Sequence, residues 1–200
     1  MPRLHDGARE GSHCGNVAYV TGNESIEGMQ MKSSGIASSL VIVASGVVLC
    51  GSAAMALEAK PTLTLALAKK MAAGCEAKAA QEKWAMNIAV VDDGANLVFF
   101  QHMDGAFKGS VYISQHKAMT SANFPFPTRM VGEIAFGKDG KPGAVPGIAD
   151  VPGIIAFAGG LPIMTVNKVH IGGIGVSGGT ADQDEECAKA GLDAVADDLK

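Results

Sequence analysis

The spacing of hydrophobic positions changes several times along this chain, and each change marks an element. From Thr64 to about Glu82 the apolar residues recur at helical spacing. Leu65, Leu67, Ala68, Met71, Ala72, Cys75 and Ala79 form one stripe, with Lys69, Lys70, Glu76 and Lys78 outside it. Thr64 is placed to cap that helix. The period then falls to two. Trp84 to Val91 reads as a strand, Asp92-Asp93-Gly94-Ala95 as a turn, and Asn96 to Met103 as the antiparallel return. Leu97, Phe99, Gln101 and Met103 alternate there with Val98, Phe100, His102 and Asp104. Both sets are largely apolar, which predicts a sheet covered on both faces.

Helical spacing returns from about Gly109 to Ala122, and Phe124-Pro125-Phe126-Pro127 stops it. Thr128 is expected to cap a short helix to Phe136. Gly137 to Gly153 carries three prolines and five glycines and reads as a long loop. Two or three strands follow, at about Ile154–Ala158, Leu161–Val166 and Val169–Val176, with a tight hairpin at Asn167-Lys168. Thr180 is expected to cap a final helix to about Leu199. One antiparallel sheet with helices on both faces is the economical assembly.

Upstream of Leu57 the pattern is of another kind. Met31-Lys32-Ser33-Ser34 precedes an apolar run, Gly35 to Leu49, and a small-residue stretch ending Ala54-Met55-Ala56. A positive start, an apolar middle and an A-x-A site describe a secretory signal over residues 31–56. Cleavage there leaves residues 57–200 as the domain, in a periplasmic or secreted protein. The run is short and rich in Gly and Ser for a membrane span; an uncleaved anchor is the alternative. Residues 1–30 are polar and aperiodic. They are either a disordered extension or lie before the true start at Met31 or Met29. Cys50 lacks the small preceding residue of a lipidation site, since Val47-Val48-Leu49 comes before it.

The chain has 200 residues, 48% hydrophobic and 18% charged, with net charge −4. No basic patch is present, which argues against a nucleic-acid partner. Cys75 and Cys187 are the two cysteines of the domain. In an oxidising compartment they could pair, or they could equally be two small buried hydrophobes. Ile171 to Leu192 looks at first like a phosphate cradle, with Ser177-Gly178-Gly179-Thr180 opening a helix. Asp182, Asp184, Glu185 and Glu186 already occupy the positive end of that helix and would repel a phosphate. They read as complements to the helix dipole. Ser177 lacks the flanking pattern of a nucleophile elbow.

Several blocks in order carry a resemblance. They are Val90-Val91-Asp92-Asp93-Gly94, Met103-Asp104-Gly105-Ala106, Lys117-Ala118-Met119-Thr120, Phe124 with Pro127-Thr128, and Gly159-Gly160-Leu161-Pro162-Ile163. Last comes Gly172 to Gly178, with Asp184 and Ala188 to Leu192. Over about Leu63 to Leu199 the chain resembles the GlcG/HbpS family, also called DUF336 or the haem-binding-protein family. The resemblance implies a profilin-like three-layer α/β/α domain with a five-stranded antiparallel sheet. It also implies homo-oligomers, a haem or other tetrapyrrole ligand with iron or a corrinoid as alternatives, and in some members a sensor partner.

A haem site needs an apolar slot, an axial donor and a cation for the propionates. His116 is the candidate donor, and Lys117 or Arg129 the candidate cation; the alternatives are a solvated helix face for His116 and a snorkelling surface lysine for Lys117. Thr120 lies in the family's lysine–threonine segment and is a candidate pocket residue; the alternative is a bond from its hydroxyl to the His116 carbonyl. His102 and Asp104, with His116, are the candidate metal ligands. Asp92 and Asp104 otherwise fix turns. His170, after the hairpin, is expected to be exposed and is set aside. Phe124, Phe126 and Phe136 would form an apolar lid or a subunit contact. A second reading makes the protein an enzyme, or an enzyme subunit, acting on a small organic acid or aldehyde with Lys117 or His102 as acid/base. Nothing in the residues demands catalysis.

Overall fold

The computed structural model describes residues 59–200. The segment read as a signal and the polar stretch before it lie outside the described residues. Helix α1, Leu65–Glu82, begins where Thr64 accepts a hydrogen bond from the Leu67 amide at 3.2 Å. It ends at Lys83, which adopts a left-handed conformation. Its buried stripe is Ala68, Met71, Ala72, Cys75 and Ala79, part of the stripe the spacing predicts.

Strand β1, Asn87–Asp92, pairs antiparallel with β2, Leu97–His102. The Asp92 carboxylate closes the turn by accepting from the Gly94 amide at 2.9 Å and the Asn96 amide at 2.8 Å. Helix α2 spans Ser110–Asn123 and α3 Thr128–Phe136. The loop after α3 contains a short 3-10 turn, Pro146–Asp150. Strands β3, Gly160–Met164, and β4, His170–Ser177, form a hairpin, and α4 spans Ala181–Asp193. A capping box opens α4: the Thr180 hydroxyl accepts from Gln183, whose side chain accepts from the Thr180 amide. Residues after Asp193 continue as turns, so the helix stops short of the expected Leu199.

The strand order is β2-β1-β4-β3, with every neighbouring pair antiparallel. Helices cover both faces, as the pattern predicts, on four strands where five were expected. The missing strand is Ile154–Ala158. Its backbone is taken up by the helices: the Ile155 amide donates to the Thr120 hydroxyl of α2 at 3.0 Å, and Ala156 lies against Gly132 of α3. Only the central strands are covered on both sides. β2 is an edge strand with both end residues exposed, and a bulge next to Val98 breaks its alternation. Thr128 is also placed differently. Pro127 takes the cap position of α3, and the buried Thr128 hydroxyl accepts from the Gly160 amide at 2.9 Å.

Along β4, Ile174 and Val176 point into the main core beneath α1 and α4. Gly173 and Gly175 face α2. A Cβ on Gly175 would lie 2.1 Å from the Ser114 carbonyl oxygen, so the helix backbone rests directly on the strand. Cys75 of α1 and Cys187 of α4 form a disulfide, which decides between the two readings of those residues. Among the described residues, no helix is long and apolar enough to cross a membrane.

Candidate functional site

The residues singled out on α2 fall into three situations. Lys117 is wholly buried. Its ammonium donates to Asp184 Oδ2 at 2.7 Å and to the Val176 carbonyl at 3.0 Å, beneath the Phe157 ring at 4.7 Å. Burial pushes the Lys117 ammonium below the usual lysine range, while Asp184 and Glu185 act in the other direction. Asp184 is equally buried, and its Oδ1 accepts from the Gly178 and Gly179 amides at 3.0 and 2.9 Å. The glycine turn is therefore an anion cradle after all, and the chain's own carboxylate fills it. Two expectations change. Lys117 is committed inside the fold, not held out toward a ligand or an acid/base partner. Asp184 is a buried ion-pair partner, not a mere dipole complement.

The other acids of that helix turn also have specific partners. Arg129 of α3 bonds Asp182 and Glu185, the latter at 3.1 Å from each oxygen. Lys78 of α1 meets Glu186 at 2.8 Å. The first two turns of α4 thus grip α1, α2 and α3 with different carboxylates. Arg129, proposed for a propionate, is engaged in this network, and its charge is held there by the two acids.

Thr120 is buried and does not bond back along its helix. Its hydroxyl accepts from the Ile155 amide and donates to the Gly153 carbonyl at 3.4 Å. It fastens the segment after the Pro/Gly loop onto α2.

His116, one turn before Thr120, is half-buried and stacks on Tyr112 with ring centroids 3.7 Å apart. Its Nδ1 lies 3.0 Å from the Tyr112 carbonyl oxygen. A carbonyl only accepts, so in the neutral ring Nδ1 carries the proton and Nε2 the lone pair. Nε2 makes no bond within the described residues and is not among their buried orphan atoms. That is the arrangement of a metal-ligating histidine oriented by its other nitrogen. The exposed Tyr112 ring stacked on it forms an apolar ledge, while Phe157, also exposed, lies over the Lys117 ammonium.

His102 is exposed at the end of β2. Asn87 donates from Nδ2 to the Phe107 carbonyl at 3.0 Å, which turns its Oδ1 toward His102 Nδ1 at 2.5 Å. His102 therefore also has its Nε2 lone pair outward. Asp104 is exposed in the following turn. No group of three His, Cys, Asp or Glu among the described residues is placed to hold a metal, so His116, His102 and Asp104 do not assemble one. His170 departs from the exposed position expected of it: it is half-buried, with Nε2 buried and unpartnered. Phe124 and Phe126 lie 6.0 Å apart, and Phe136 is exposed. Tyr112, Gly153, Phe157 and Asp184 are the site residues that sequence reasoning missed or misread. Only Asp184 had a signal, an acid following two glycines.

The family model described as Haem degrading protein HbpS-like matches residues 63–193. A 15.0 kDa protein of the dhaT-dhaS intergenic region of Citrobacter freundii is 40% identical over 139 residues, spanning 68% of this chain and 94% of that protein. The crystal structure of Klebsiella pneumoniae ORFY, of family DUF336, superimposes with a TM-score of 0.63 at 36% identity, over 70% of this chain and 94% of that one. A double mutant of Streptomyces reticuli HbpS gives 0.61 at 30% identity, over 70% of this chain and 90% of that one.

Proposed function

This chain belongs to the HbpS-like family, and from that premise we propose that it binds haem, or another tetrapyrrole, on the ledge around His116. The observation that carries the reading is the Nδ1 contact to the Tyr112 carbonyl, which leaves Nε2 as a fixed, accessible lone pair. The exposed Tyr112 ring stacked beside it suits one face of a macrocycle. The donor set fits the group in one respect and departs from expectation in another. Lys117 and Arg129 are engaged with acids. Lys108 is exposed, lies eight residues before His116 and enters no ion pair among the described residues. It is the cation we assign to a propionate. Bound haem would supply an iron centre for ligand binding or redox chemistry; His116 would hold the iron, Tyr112 would offer the apolar face and Lys108 would meet a propionate.

We extend the reading to an exported, homo-oligomeric protein that serves haem or iron handling or assists a sensor. The signal-like segment 31–56 supports export, and so does a disulfide, which persists in oxidising compartments. Titration of the purified chain with haemin is expected to give a saturable Soret shift that His116→Ala weakens and moves. A spectrum matching free haemin throughout would overturn the reading. A wild-type shift unaltered in His116→Ala would overturn the axial assignment. Fractionation of the source cells tests export, and native mass measurement tests assembly.

A further inference from the structure

The segment that passes over His116 is fastened by one side chain. Gly153 lies against the outer edge of the imidazole: a Cβ added there would fall 3.2 Å from Cδ2 and 3.6 Å from Nε2. Gly153 also adopts φ +86°, so a side chain at this position would be strained as well as crowded. Two residues on, the Ile155 amide has the Thr120 hydroxyl as its partner, and the same hydroxyl donates to the Gly153 carbonyl. Thr120 and His116 are four residues apart and share one face of α2. The strap therefore rests on the hydroxyl at one end and against the ligand-binding edge of the ring at the other.

We propose that Thr120 is a positioning residue: by pinning Gly153–Ile155 onto α2, its hydroxyl sets how far the Nε2 of His116 is open to an incoming ligand. The inference rests on His116 being the residue that meets the ligand. It gives Thr120 a role other than contact, because both the proton and a lone pair of its hydroxyl are used within the fold. The strap is suited to move. It is irregular backbone outside the sheet, and no side-chain bond other than those of Thr120 is made to its Gly153 or Ile155 backbone among the described residues.

The test reads the histidine directly. Diethylpyrocarbonate acylates neutral imidazole nitrogen, and peptide mass spectrometry gives the rates at His116 and His102 in one sample. His102 lies on β2 and serves as the internal reference. Thr120→Val keeps the volume and removes both bonds. It is expected to raise the ratio of the His116 rate to the His102 rate about fivefold, the factor one neutral hydrogen bond supplies, taking the 3.0 Å bond from Ile155 as the stronger of the two, and Thr120→Ser is expected to restore it. A folded Thr120→Val protein with the wild-type ratio would overturn the proposal. Hydrogen exchange on the wild-type chain is a second measurement that needs no variant: the Ile155 amide is expected to be protected, and an unprotected amide would overturn the clamp. A haemin titration of the same samples separates the two claims. No Soret shift in wild type sinks the haem reading and leaves the clamp to the acylation ratio; a shift with an unchanged ratio sinks the clamp alone.

Discussion

The two faces of the sheet are built on different principles. Beneath α1 and α4 lies a core of Met71, Met86, Ile88, Val90, Ile163, Ile174, Val176 and their neighbours, crossed by the Cys75–Cys187 disulfide. On the α2 side the apolar cluster shrinks to Ala89, Val91, Ala118 and Ala122. Adhesion there comes from glycine-mediated contact of backbone on backbone and from buried polar groups: Ser114, Lys117, Thr120, Thr128 and Asp184. A dry hydrophobic face tolerates changes of shape at moderate cost, whereas a buried polar face fails when one partner is removed. The proposed ligand ledge lies on the second face. A side chain held by directional bonds keeps the orientation a ligand needs; one held by packing alone is free to choose among rotamers.

The contrast can be broken at graded points. The largest effect is expected on the dry face. Replacing both cysteines with alanine should remove about 4–5 kcal/mol, the chain-entropy value for a loop of this span, read as a shift in the denaturant midpoint; the sequence separation is 112. The haemin spectrum should survive wherever the fold does. Loss of the spectrum in a folded variant would show that the two faces are not independent.

Asp184→Ala on the polar face should cost about 3–5 kcal/mol, because Lys117 is left charged and buried with no acid beside it. Replacing both partners, Lys117→Met with Asp184→Leu, should recover most of that loss. A double variant no better than the single one would mean that the carboxylate's bonds to Gly178 and Gly179 matter more than the pair. Next in size is Thr128→Val, which strands the buried Gly160 amide and should cost about 1–3 kcal/mol; a neutral result would show that water replaces the hydroxyl. Smallest is Arg129→Met. Its side chain is 43% exposed, so its acids should be worth less than about 1 kcal/mol. A larger loss would show that the grip of the α4 acids on α3 contributes more than a surface ion pair.

The same contrast governs what could be read from the sequence. The dry face was legible because periodicity and burial coincide: Met71, Cys75 and Ala79 repeat on α1, and Ile88 and Val90 alternate on β1. The polar face was not. Lys117 and Asp184 meet across 67 residues, and no local pattern announces a pair so distant. Lysine on a helix normally lies outside, so burial of Lys117 runs against its residue type. Ile154–Ala158 has the apolar content of a strand, yet Thr120 draws its backbone to a helix, and that hydroxyl looked like any helical threonine. At Val98 the bulge defeats strict alternation. The pairing of Cys75 with Cys187 depends on two helices lying side by side, which spacing along one chain does not reveal. His116 was found from its residue type and its family setting, but its fixed tautomer follows from one carbonyl on the previous turn.

The glycines of β4 carry a consequence for how this protein can vary. Every amino acid one base change away from glycine brings a Cβ. At Gly175 that atom would meet the Ser114 oxygen at 2.1 Å, and at Gly173 the Ala118 oxygen at 2.3 Å. Mutation therefore has no small step available there, and the gap between α2 and the sheet cannot be widened gradually. New ligand preferences must arise elsewhere: at Lys108 in the turn before α2, at Tyr112 on its outer surface, and in the strap that crosses His116. The rigid contact narrows the paths by which the site can diversify to the few positions that face away from it.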